Sequence, residues 1–180
     1  PYVIINNLKR TKLDANREII EAAQGNVFAE RAFDEFHFYI NSAREEILSK
    51  YSTGFLFDIH GHGANPDGFY DIRTWIGYLL SGDQLDNSNS YIDQNISIDN
   101  TSIFNIANSS TETLSEILRG PNSLGSFFEN NLYTALPSPN SPSPEGMKYF
   151  SGGYNTFLYG KDRNFNFNAI QLEFPFPDLR

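Results

Sequence analysis

The sequence predicts an α/β protein in which a mixed central sheet carries helices on both faces, three layers in one domain spanning residues 1–180. Three observations predict it. A β-branched run at Tyr2–Asn6, a helical repeat from Val27 to Tyr51 and an apolar run at Gly54–Ile59 read as strand, helix, strand, the unit that builds such sheets. Near the other end, Asn168–Phe174 alternates as a half-buried strand does, before Pro175 and Pro177 stop it. The composition agrees: 39% hydrophobic and 19% charged residues, with 16 Phe and 10 Tyr, describe a globular chain with an aromatic-filled core. A chain of this length buries roughly 70% of its unfolded surface.

Each element has its own signal. Tyr2–Asn6 is short and β-branched, as strands are. A chain opening directly on such a run is expected to be a processed chain or a fragment. Asn7–Arg17 is polar and holds Lys9, Arg10, Lys12 and Arg17, a basic cluster in an acidic protein. It reads either as a solvated loop or as a pocket for a carboxylate, which arginine grips bidentately. In the long helix Phe28, Ala32, Phe36, Tyr39, Ala43 and Ile47 recur at three- and four-residue steps, and Asn26 suits the N-cap. Gly54–Ile59 is continuously apolar, as a strand buried on both faces is.

Asp71–Leu80 fits a short strand or a short helix. Residues 83–111, rich in Asn, Asp and Ser, read as surface loop. Helices are predicted over Glu112–Arg119 and Leu124–Tyr133, separated by the Gly120-Pro121 break. The Pro/Ser segment Leu136–Pro144 reads as a rigid surface crossing or as a lid.

Charge and composition exclude several functions. A formal net charge of -9 argues against nucleic acid as a partner, because phosphate binding needs a basic stripe. No run approaches the ~20 apolar residues of a membrane-spanning helix. The absence of cysteine removes disulfides, thiolate metal sites and cysteine nucleophiles. Sequons at Asn95, Asn100 and Asn108 arise easily by chance in such an Asn- and Ser-rich stretch. Three in one polar segment nonetheless favour an exposed, glycosylated, secreted protein.

The candidate chemistry sits at Asp58-Ile59-His60-Gly61-His62-Gly63, where the apolar run ends in a Gly-rich turn. This hexapeptide holds two of the chain's three histidines. Open α/β sheets bind ligands and metals beyond the carboxyl ends of their strands. His37, inside the long helix between Phe36 and Phe38, reads as a packed or surface side chain. Glu173 lies near the end of an otherwise apolar strand, where a carboxylate is costly unless it is paired with Arg17 or Arg10, bound to a metal, or acting as a base.

Taken in order, Asp14-Ala15-Asn16-Arg17, Asp58-Ile59-His60, Ser151-Gly152-Gly153-Tyr154 and Gln171-Leu172-Glu173 resemble the N-formylglutamate amidohydrolase family, itself similar to the zinc carboxypeptidases. The likeness runs from Asn7 to Pro175. It implies a phosphorylase/hydrolase-like, zinc-carboxypeptidase-like fold, incomplete at its amino end, and a zinc-dependent hydrolase that cleaves an amide bond beside a carboxylate. In that reading His60 is a zinc ligand, with His62 its rival, and Asp58 orients the ring. Asn16 and Arg17 grip the substrate carboxylate, Arg10 polarises the scissile carbonyl or neutralises the oxyanion, and Tyr154 closes over the substrate. Glu173 takes the proton of the attacking water. In the family the first His and an acidic ligand precede the Asn-Arg motif. No His precedes Asn16 here, and Asp14 is the only acidic residue that does, so an N-terminal segment or companion chain is expected to complete the site. The alternative is a non-catalytic secreted glycoprotein of the same fold, used for binding or assembly.

Overall fold

A computed structural model describes residues 1–63 and 70–176. Its centre is a four-stranded mixed sheet of β1 (Gly54–His62), β2 (Thr74–Gly77), β3 (Ala135–Leu136) and β4 (Phe167–Pro175), in the order β1-β4-β2-β3. β1 and β4 run parallel and β2 lies antiparallel to β4. Residues alternate between the faces of a strand. Ile170 and Leu172 therefore face one core cluster, together with Ile76, Ile92 and Leu118, while Leu56 and Ala169 face another, with Ile40 and Tyr159. Helices thus pack on both faces of the sheet.

The short helix α1 (Ile19–Ala23) and the long helix α2 (Val27–Tyr51) precede β1. The Asn26 side chain accepts hydrogen bonds from Phe28 N and Ala29 N, so the expected cap forms. Ser52, left-handed at φ 62°, ends the helix. The inward face differs from the expected one. Ala29, Phe33, His37, Ile40, Ala43 and Arg44 are buried, whereas Phe28 and Tyr39 are 82% and 58% exposed. One residue is about 100° of helix rotation. The stripe turns because two polar residues belong inside: His37 Nδ1 sits 2.7 Å from the Tyr159 hydroxyl, and Arg44 donates to Asp162 at 3.0 Å while capping the Phe165 ring. The reading of His37 as packed holds.

Two further expectations are corrected. Residues 2–6 join no strand ladder, and the sheet's crossover connects β1 to β4 instead. Residues 83–111 are mostly helical: α3 (Gly82–Leu85), α4 (Asn89–Asn95), a 3₁₀ turn (Ile98–Asn100) and α5 (Phe104–Ser109). The serines that suggested loop are N-caps. Ser81, Ser88 and Ser97 accept from Gln84 N, Tyr91 N and Asp99 N respectively, and the apolar residues that follow them, Leu85, Ile92, Ile96 and Ile103, are buried. Then follow α6 (Leu114–Arg119), α7 (Leu124–Asn130) and α8 (Tyr154–Gly160). Of the ambiguous Asp71–Leu80, residues Thr74–Gly77 form a strand because they fill the space beside β4, fully buried.

Arg119 ties this helical layer to the Pro/Ser segment. Its guanidinium, almost wholly buried, donates to Asn89 Oδ1, Leu85 O, Asn87 O and Pro142 O at 2.6–3.0 Å. Ser138 is fully buried and donates to Glu129, so the crossing is pinned and does not act as a lid. Among the described residues no helix is long and apolar enough to cross a membrane. Removing a buried donor leaves its acceptors unsatisfied at about 1–3 kcal/mol each. Arg119→Ala is therefore expected to lower unfolding stability in urea by about 3 kcal/mol or more. Arg31→Ala, which breaks an exposed pair with Glu35, is expected to change it by less than about 0.5 kcal/mol.

Candidate functional site

The parallel register of β1 and β4 sets Asp58 beside Gln171 and His60 beside Glu173. Neighbouring strands lie ~4.8 Å apart, and registered residues share a face. Four polar side chains therefore stand together at the carboxyl ends of two parallel strands, on the face covered by α2 and α8. Trp75 flanks Glu173 from β2. Glu173, Gln171 and Asn16 are all at least nine-tenths buried.

Asn16 joins them. The turn before it closes through Lys12 N and Leu13 N to Lys9 O, and Asp14 Oδ1 accepts from Asn16 N at 3.3 Å, which directs the Asn16 side chain inward. Asn16 Oδ1 accepts from Asn155 N at 2.8 Å. That bond fixes the amide orientation, so Nδ2 donates to Gln171 Oε1 at 3.4 Å and lies 3.2 Å from His60 Nε2. Gln171 Nε2 in turn donates to Glu173 Oε1 at 2.7 Å. On the other side, Asn155 Nδ2 donates to Asp58 Oδ1 at 3.4 Å. Gly153 makes room for this: a Cβ there would sit 2.5 Å from Asn16 Nδ2.

His60 Nε2 has two neighbours with opposite demands. Asp58 Oδ2 is 3.0 Å away and wants a proton; the Asn16 amide wants a lone pair. One nitrogen cannot meet both. Asp58 Oδ2 is buried, and its approach to the ring has the distance of an ion pair without hydrogen-bond alignment to any described residue. Burial pushes the His60 imidazole downward, and Arg10 opposes the charge as well. The Asp58 carboxylate and the Glu173 charge outweigh them, so His60 titrates above the ordinary histidine value.

The expected site residues divide. Asp58, His60, Asn16 and Arg10 line one groove, and Glu173 borders His60. Arg10 holds Asp14 at 2.6 Å and is half to two-thirds exposed. Arg17 faces solvent, near Asp14 and Glu21, and does not line the groove. Tyr154 packs in the α1–α2 cluster, its ring against Phe33 and His37. His62 stacks on Trp75 at 4.0 Å and its Nε2 meets Arg73 O at 2.9 Å, so its visible role is packing. Asn155 went unread in the sequence, and Gly153 was read only as part of the Ser151–Tyr154 motif, with no role of its own. Gln171 was legible: period-two alternation puts it on the face of Glu173.

Asp58 Oδ2, which has no hydrogen-bond partner, and His60 Nε2, 3.0 Å from it, suit two donors of a cation site. A catalytic zinc takes three protein ligands, and among the described residues no three His, Asp or Glu side chains gather closely enough to hold a metal. The described residues do not complete the site. No protein-family model, curated protein or solved structure matches the chain.

Two outcomes are expected. In the metal-free chain, Asp58→Asn is expected to lower the His60 pKa, read from imidazole proton shifts across pH. Because folding raises this pKa, its stabilising contribution is full below ~6.5 and lost as pH rises through the folded value. Wild type should therefore lose stability relative to His60→Gln as pH rises above ~6.5. Gly153→Ala is expected to displace Asn16 and cost about 1–3 kcal/mol, with the Asn16 side-chain amide resonances shifting most.

Proposed function

We propose that this chain is part of a hydrolase that cleaves an amide bond beside a carboxylate, as in an N-acyl amino acid or a peptide end, on an incomplete three-layer scaffold of zinc-carboxypeptidase type. The observation that carries this reading is a nearly buried carboxylate, Glu173, held by Gln171 next to a histidine–aspartate pair at the mouth of a groove. Glu173 takes a proton from water as the oxygen attacks the carbonyl carbon. Arg10, at the groove, stabilises the oxyanion. When the carbon–nitrogen bond breaks, Glu173 returns the proton to the leaving amine, giving a carboxylic acid and an amine. Asn16 binds the substrate carboxylate.

A zinc ion would lower the pKa of the attacking water. It belongs to the proposal only with a third ligand from an N-terminal segment or companion chain, and no step above runs through it. The second reading, a non-catalytic secreted glycoprotein, is favoured by one observation: Asn95, Asn100 and Asn108 are all exposed.

Amine release from a panel of N-acyl amino acids tests the first reading. Glu173→Gln is expected to reduce kcat at least ~100-fold, the scale of general-base catalysis, and Arg10→Ala to cut kcat/KM. Unchanged rates in Glu173→Gln, with unfolding midpoints preserved, would move the protein to the second reading.

A further inference from the structure

The groove next to His60 has an unusual pair of walls. Its volume is about 710 Å³. One wall is β1 from Phe55 to His60, six consecutive residues of both side-chain parities, so the groove follows the strand's edge and not one of its faces. β1 is the terminal strand of the sheet and pairs only with β4, which leaves its second edge without a ladder among the described residues. The other wall is Pro1–Asn6. Val3 and Ile5 point to solvent, 79% and 69% exposed, while Ile4 packs with Leu56 and Ile40, the alternation of a strand. Yet no backbone hydrogen bond of residues 1–6 is made to any described residue. Side chains hold the run in place: Ile4 in its apolar cluster, and Asn6 Nδ2 donating to Leu13 O at 3.4 Å.

We infer that this groove is a slot for one extended polypeptide strand, supplied by a companion polypeptide, which pairs with β1 on one side and with residues 2–6 on the other. Two facing rows of unpaired backbone groups select the occupant. Backbone donors and acceptors withdrawn from water need partners, and an acyl chain or aromatic ligand leaves both rows unsatisfied. A peptide strand satisfies both. β1 also lacks two of the devices that protect a free edge, having no proline or lysine, and it exposes Phe57 and Ile59 at 46% and 63%. Phe55 to His60 spans ~17 Å, the length of a common strand of about six residues. Toward the amino end of β1 one face is apolar, with Leu56, Ile40 and Ile4, before Asp58 and His60 take that face; the other carries Phe57 and Ile59. The matching strand is therefore rich in Val, Ile, Leu and Phe. This inference does not rest on hydrolase activity.

Hydrogen exchange tests it on the whole chain, with a pool of about six-residue peptides randomised among Val, Ile, Leu, Phe and Thr as the probe. The pool is expected to slow exchange at least tenfold for amides of residues 2–6 and for the β1 amides that do not bond β4. The same pool N-methylated at alternate residues should bind at least tenfold more weakly, because half its donors are gone. Ile59→Lys, at an exposed position, should weaken the unmodified pool tenfold without moving the unfolding midpoint. Three results overturn the inference. One is no protection from any peptide. Another is equal binding of methylated and unmodified pools, or protection by dodecanoate in their place, which makes the groove a site for apolar small molecules. The third is protection that appears with chain concentration alone, which assigns the slot to a second copy.

Discussion

The structure depends on the parallel, in-register pairing of β1 with β4. Side chains alternate along a strand, so a slip by one residue would turn Asp58 and His60 away from Gln171 and Glu173 and bury charge in the opposite core. The register is held by what lies on both faces. Ile170 and Leu172 belong to the cluster with Ile76 and Leu118, and Ala169 belongs to the cluster with Ile40 and Tyr159. Either cluster would accept polar groups after a slip. The apolar packing thereby positions the polar line, and the chemistry inherits its geometry from the core.

That polar line is built with conflict in it. Asn16 is satisfied by Asn155 and Gln171, and Glu173 by Gln171, but His60 stands between an amide donor and a carboxylate. Buried polar groups are usually fully paired, and the exceptions concentrate where a protein binds something or moves protons. Asp58 and His60 line the groove, so the unsatisfied groups and the space for a ligand coincide. Arg10 reaches the same place from the turn before Asn16, while Arg17 lies outside the groove, near Asp14 and Glu21.

Much of this was legible in the sequence, for identifiable reasons. The Asn26 cap and the Gly54–Ile59 and Asn168–Phe174 strand signals are local and survive tertiary context. So does the shared face of Asp58 and His60, because strand alternation carries it; that Glu173 stands beside them was implied only by the family resemblance, since alternation does not say which strands pair. The face of α2 was misjudged since His37 and Arg44 look solvent-seeking in sequence, and only Tyr159 and Asp162, more than a hundred residues away, make their burial affordable. Residues 83–111 misled because serine and asparagine favour both loops and helix caps; the buried Ile92, Ile96 and Ile103 decide between them. Tyr2–Asn6 has the composition of a strand and the extended form of one, but a ladder needs a neighbour, and no sequence pattern reports whether one is present.

Cysteine cross-linking measures the register most directly, since the chain has no native cysteine. Ile59 and Leu172 are registered partners, and neighbouring strands at ~4.8 Å fall within the Cα spacing a disulfide spans. The pair Ile59→Cys with Leu172→Cys is expected to oxidise to completion, while Ile59→Cys with Gln171→Cys, on opposite faces, stays reduced. Ready oxidation of the second pair and not the first would mean a slipped sheet, and His60 would no longer stand beside Glu173.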